Sequence, residues 1–200
     1  MSATTAANPA KSPTPPPSHP FFLDVEDTIV LFVDIQEAFA PTISNMDEVL
    51  DSAALMARAT RVLEVPRIVT EQYPVGLGVT IHALSEALGP YTPIEKTVFS
   101  CARVPGFLDI LDRHGRNSVV LCGIETHICV LQTALDLIAH GFGVWVVADG
   151  VGSRSESNRA IALAQMDRAG AVITSVEAVL FQLLGDARAP GFRDIQRLIL

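Results

Sequence analysis

From residue 27 onward, apolar and polar positions along this chain follow two rhythms in turn. Short runs that are apolar at almost every position, "DTIVLFVD" (27–34), "RIVTEQ" (67–72), "SVVLC" (118–122) and "GVWVVAD" (143–149), have the length and β-branched content of strands covered on both faces. "IEKTVFS" (94–100) and "AVITS" (171–175) supply two more strands. Between them, apolar residues recur at helical spacing over 46–65, 79–88, 106–115, 127–141, 155–170 and 175–185. The first of these helices has Asp47 and Glu48 in its first turn, where the helix dipole favours acids. Ser155 and Ser175 are placed as N-caps, and Gly115, Gly170 and Gly185 as stops. No internal repeat is present. Strand and helix in strict alternation predict an α/β fold, a three-layer doubly wound sandwich with a six-stranded, mainly parallel sheet.

In such a sheet, ligands bind beyond the carboxyl ends of the strands, where the strand order reverses. The residues at those ends are Asp34, Thr70, Glu71, Phe99, Ser100, the turn "GIETHIC" (123–129) and Asp149. Asp34 is either a helix cap or a buried carboxylate facing the crevice, and Gln36 and Glu37 follow it in a turn that reaches the same place. Lys96 in an apolar strand either snorkels to the surface or is buried and needs a carboxylate, for which Asp34 stands at the right end of the sheet. Cys129 has three readings: packing, nucleophile or metal ligand. With Thr126 as N-cap it falls in the first helical turn, where free N–H groups and the helix dipole favour thiolate. A Lys96 ammonium nearby would favour it further, and Asp34 could take the proton. Cys122, inside a strand, is expected to be inert core.

Composition narrows the partners. Two hundred residues fit one domain, and 49% hydrophobic content with 18% charged residues suggests a well-filled core or a buried interface between copies, hence a homo-oligomer. The formal net charge is −8 and the Lys and Arg residues are scattered, which argues against nucleic acid or an anionic membrane and for a small-molecule substrate. Three cysteines without C-x-x-C, and five histidines that never form H-x-x-x-H or D-x-H, do not build a disulfide or zinc domain. No metal and no cofactor are expected, and "DIQEAF" stands where a dinucleotide-binding domain carries its glycine-rich turn. No apolar run approaches the roughly 20 residues that span a bilayer. Residues 1–20 are rich in Ala, Ser, Thr and Pro, with one Lys and no apolar core; they suit a disordered extension before a domain at 21–200 in a reducing, cytoplasmic compartment.

"VDIQEAF", "EKTVFS" and "GIETHICVLQTALDLIAHGFGVWVVADGVGSRS" resemble the three sequence blocks of the isochorismatase-like cysteine hydrolases, in the order Asp, Lys, Cys, across about residues 27–185. The resemblance implies a Cys-Asp-Lys triad: Cys129 as nucleophile, Asp34 as general base and acid, Lys96 as electrostatic partner. It also implies a cis peptide at Ile124–Glu125 and an oxyanion hole from the backbone N–H groups of Glu125 and Cys129. The nicotinamidase branch carries a D-x-H metal motif where this chain has "VTEQYPVGLGVT" (69–80), so a catalytic metal is not expected. A cysteine points to acyl chemistry rather than the vinyl-ether cleavage of true isochorismatases. "TEQYPVGLG" and "ADGVGSRS" are most similar to the isochorismatase-domain-containing subgroup, which implies Glu71, Gln72 and Tyr73 at the pocket mouth; Gln36 and Phe99, by their places past the strand ends, and Arg103 are the other pocket candidates. His127 either tunes the nucleophile or lies exposed, Arg103 and Arg154 could bind an anionic group, and Asp149 and Ser153 fix the loop after the fifth strand. The function expected is metal-independent hydrolysis of a small amide, or a related acyl compound, through a thioester. The alternative is a non-catalytic oligomeric binding or scaffold protein, for which the helix "AVLFQLL" (178–184) would supply an interface.

Overall fold

The computed structural model describes residues 19–200; the expected extension, up to residue 18, lies outside the described residues. Six parallel strands form one sheet: β1 (Thr28–Val33), β2 (Arg67–Gln72), β3 (Ile94–Lys96), β4 (Ser118–Ile124), β5 (Gly143–Gly152) and β6 (Val172–Thr174), in the order β3-β2-β1-β4-β5-β6. The helices are α1 (Met46–Val62), α2 (Pro74–Leu77), α3 (His82–Leu88), α4 (Phe107–His114), α5 (Leu131–Ala139), α6 (Glu156–Ala169), α7 (Val176–Leu184) and α8 (Phe192–Ile199). Strand order reverses between β1 and β4, so the crevice between their carboxyl ends is the position this topology reserves for a ligand.

β1 is buried at all six positions because both of its faces are covered. Val30 and Phe32 join Val120 and Cys122 in an apolar cluster with α1, α3, α7 and α8. Ile29, Leu31 and Val33 join Val119 and Leu121 in a second cluster, with α4, α5 and α6 on the opposite face. Each such side chain contributes about 1.5–3 kcal/mol through burial. The Ser175 hydroxyl accepts the Ala178 N–H at 3.3 Å and caps α7. Gly170 ends α6 in the left-handed region, at φ 104°.

Several elements depart from the sequence-based expectation. β3 stops at Lys96 instead of running to residue 100, because the Val98 and Phe99 carbonyls turn inward to the Lys96 ammonium, at 3.2 and 3.0 Å. The turn after β2 contains a short helix, α2, with Pro74 at its first position, where a missing N–H costs nothing. α8, for which the apolar pattern gave no assignment, closes the first cluster through Ile195. Thr126 does not cap the helix after β4. Residues Thr126–Val130 form a π-helical turn capped by Glu125, and α5 follows it.

Candidate active site

Gly123 brings the two central strands together at their carboxyl ends. It pairs with Val33 and has φ +147°, and a methyl group added there would lie 2.3 Å from the Val33 carbonyl oxygen. A side chain at this position would force apart the ends of β1 and β4, from which the next residues, Asp34 and Ile124–Glu125, enter the crevice.

Asp34 sits immediately after β1 in the left-handed region (φ 54°), a conformation that Asp tolerates better than most residues. Its carboxylate is buried. Oδ2 lies 2.6 Å from the Lys96 ammonium, and Oδ1 accepts the Thr70 hydroxyl at 2.7 Å. Lys96 does not snorkel: its side chain is 0% exposed, and its ammonium is also bonded to Gln72 Oε1 at 2.8 Å and to the two carbonyls that end β3. A buried ion pair persists only when its remaining donors and acceptors are satisfied, and these contacts satisfy them. Burial pulls the Lys96 pKa down, but the Asp34 carboxylate, together with Cys101 and Cys129, offsets this and holds the ammonium above its ordinary value.

Cys129 is the fourth residue of the π-helical turn, buried but lining a cavity of about 570 Å³. Its thiol pKa is pushed up by burial and by the nearby Asp34 carboxylate; Lys96 pulls in the other direction. The net effect favours the thiol, rather than the thiolate that the helix position alone suggested. The turn has a second consequence. The Ile128 and Val130 amides both donate to the Glu125 carbonyl, at 3.0 and 3.2 Å, and skip the Cys129 amide between them. Among the described residues, the Glu125 amide has no acceptor. π-helical turns recur at functional sites. The Ile124–Glu125 peptide is cis.

A third thiol lies behind the first two groups. Cys101 is fully buried, and its Sγ donates to Thr70 Oγ1 at 3.7 Å, extending the chain Cys101–Thr70–Asp34. Burial, helped by the nearby Asp34 charge, pushes the Cys101 thiol up to about 11. Sequence position marked Thr70 as a strand-end residue, but nothing in the sequence marked its hydroxyl as the partner of Asp34.

The remaining candidates divide. Gln72, Tyr73, Phe99 and Glu125 line the cavity with Cys129, joined by Phe39, Leu77, Thr97 and Ile128. Three candidates do not. Gln36 is buried and spends its side chain on the Gln72 amide and carbonyl and the Gly78 carbonyl, which ties the loops together. Glu71 is turned away from the mouth and accepts both the Thr80 amide and hydroxyl. Arg103 lies outside, in a bidentate pair with Asp136. Arg154 is committed as well: its amide and Nε hold the Glu125 carboxylate at 2.9 and 3.0 Å. His127 is partly buried, with Nδ1 3.0 Å from Ser153 Oγ. Asp149 accepts the Val176 amide and so fixes the start of α7.

The sequence matches the isochorismatase domain family over residues 28–178. It is 44% identical over 175 residues to the mouse (Mus musculus) isochorismatase domain-containing protein 2A, covering 87% of this chain and 83% of the relative. Two solved structures share the fold. One, described as the MAR1 ribonuclease from Caenorhabditis elegans, has TM-score 0.84 and 41% identity, over 89% of this chain and 92% of that one. The other, YcaC from Pseudomonas aeruginosa with hexane-2,5-diol and covalent acrylamide, has TM-score 0.83 and 27% identity, over 92% of this chain and 94% of that one.

Proposed function

The chain belongs to the isochorismatase family, and from that premise we propose that it is a metal-independent cysteine hydrolase that cleaves a small amide, or a related acyl compound, through a thioester. One observation carries the reading. The Asp34 carboxylate is paired with the buried Lys96 ammonium at 2.6 Å and its charge acts on the Cys129 thiol, which lines a cavity large enough for a small substrate. Packing alone gives no reason to hold a lysine, an aspartate and a thiol together out of water.

The chemistry follows from this arrangement. The substrate carbonyl enters the cavity above Cys129. Asp34 takes the thiol proton as Sγ attacks the carbonyl carbon, and Lys96 offsets the charge that develops on sulfur. The carbonyl oxygen becomes an oxyanion and accepts hydrogen bonds from the Glu125 and Cys129 amides, the first of which has no other acceptor among the described residues. Asp34 then protonates the nitrogen, the C–N bond breaks, and ammonia or an amine leaves. Water attacks the thioester with Asp34 as base, releasing the carboxylic acid and restoring the thiol. The pseudomonad relative carries covalent acrylamide, a primary amide that alkylates thiols, which supports a cavity suited to such groups.

The nematode relative is described as a ribonuclease, but RNA cleavage is not adopted for this chain. Phosphodiesters are held by cations, and among the described residues no lysine, arginine or histidine lines the cavity. Among the described residues no helix is long and apolar enough to cross a membrane. Assembly into a homo-oligomer remains part of the proposal, tested by light scattering.

The test of the function is a screen of primary and secondary amides for ammonia or amine release by the wild-type chain and by Cys129→Ala. Turnover that disappears in the variant is expected. Equal turnover in the two proteins would remove Cys129 from the chemistry.

A further inference from the structure

We infer that the substrate is an uncharged carboxamide whose acyl group is a hydrocarbon, aryl or branched alkyl, rather than an amide bearing a carboxylate or phosphate. This deepens the proposed function and rests on it. The inference comes from an inventory of what the cavity has left to offer once every internal bond is counted.

The wall is apolar over most of its area, with Phe39, Tyr73, Leu77, Phe99 and Ile128 forming it. Its polar members are largely spent. Gln72 gives Oε1 to Lys96 and Nε2 to the Thr97 carbonyl at 2.8 Å each. Lys96 is closed off behind four acceptors and is not exposed. The two arginines that could have met an anion are committed elsewhere, Arg103 to Asp136 and Arg154 to Glu125. Glu125, the acidic side chain that lines the cavity, is itself an acceptor and is already held by Arg154. What remains is the free Glu125 amide beside the Cys129 amide for one carbonyl oxygen, the uncharged hydroxyls of Tyr73 and Thr97, and a hydrocarbon surface for the rest of the molecule. A carboxylate placed against Phe99 or Leu77 would be desolvated without a partner.

The same inventory describes product release. Hydrolysis converts R–CO–NH₂ and water into R–COO⁻ and ammonium. The product bears a negative charge that the substrate lacked, in a cavity without a cation, so it should leave readily and inhibit weakly.

The experiment measures kcat/KM for isobutyramide, 3-phenylpropanamide and the ring para-carboxylate of 3-phenylpropanamide. The neutral phenyl compound is expected to exceed its carboxylate by about a hundredfold, the discrimination typical of an apolar pocket that leaves a polar group unpaired. Leu77→Arg places a cation in the wall and should reverse the order. Equal or better turnover of the carboxylate by the wild type would overturn the inference. If none of the three compounds is turned over, the hydrolase reading is what fails, and the cavity is read separately by calorimetric titration of Cys129→Ala. Tighter binding of the neutral compound, by tenfold or more, upholds the selectivity; equal or reversed affinities overturn it.

Discussion

Cys122 and Cys129 are seven residues apart, both buried and both free. In both, burial is the largest cause of a raised thiol pKa. They differ in what surrounds them. Cys122 faces the cluster beneath α1, and the charge that acts on it is that of Asp149, which raises its pKa further. Cys129 belongs to the opposite cluster, at the end of the sheet, where Asp34 raises its pKa, Lys96 opposes the rise and a cavity opens above it. Burial is common to both thiols. On the proposed reading, a carboxylate nearby and a route for substrate set Cys129 apart, and in this fold both come from the crevice where strand order reverses.

The contrast can be broken most directly by exchanging the thiols for methyl groups. Cys129→Ala should lower kcat by about 10⁴-fold or more while the melting temperature stays close to that of the wild type. Cys122→Ala should do the reverse, losing about 1 kcal/mol of stability with turnover within twofold of wild type. Next in size is the base. Asp34→Asn should lower kcat by about 10³-fold and, by leaving the Lys96 ammonium buried without its counter-ion, cost about 3–5 kcal/mol in denaturant unfolding. Adding Lys96→Met to that variant should recover much of the stability and none of the turnover.

Cys101 sharpens the comparison along the pH axis. Its folded pKa of about 11 lies above the ordinary thiol value of 9.0, so its burial stabilises the fold fully below pH 9 and progressively less as pH rises toward 11. The Cys101 share of the fall in unfolding free energy across that window should be about 3 kcal/mol, and Cys101→Ala should remove that share while those of Cys122 and Cys129 persist. The smallest effect expected is at Thr70. Thr70→Val leaves Asp34 Oδ1 without its donor and should lower kcat about tenfold, with a stability loss of about 1 kcal/mol. A restored rate in Thr70→Ser would show that the hydroxyl positions the carboxylate.

The alternation of strands and helices was legible because β1, β4 and β5 are apolar on both faces and the helices between them carry clear caps and stops. Asp34 and Cys129 were legible for a related reason, since polar or reactive residues at the ends of buried strands stand out. The burial of Lys96 was not, because a lysine in a short apolar strand looks the same whether it snorkels or pairs; only the inward turn of the Val98 and Phe99 carbonyls distinguishes the two. The π-helical turn left no trace in the apolar spacing, because it adds a single residue to one turn and the next turns resume the α-helical rhythm. Glu71 and Gln36 were misplaced for the opposite reason. Their neighbours in sequence point to the cavity, but their partners, Thr80 and the Gly78 carbonyl, lie across a loop that local pattern does not describe.

The most direct test of Cys129 as the nucleophile is alkylation of the folded protein with iodoacetamide, itself a small uncharged carboxamide, with the modified residue located by mass spectrometry across pH 6 to 10. Cys129 is expected to react while Cys101 and Cys122 stay unmodified. Its rate should fall about tenfold in Lys96→Met, because the ammonium that opposes the rise of the thiol pKa is gone. Modification of Cys122 or Cys101 at the same rate as Cys129, or a Cys129 rate indifferent to Lys96, would contradict the account.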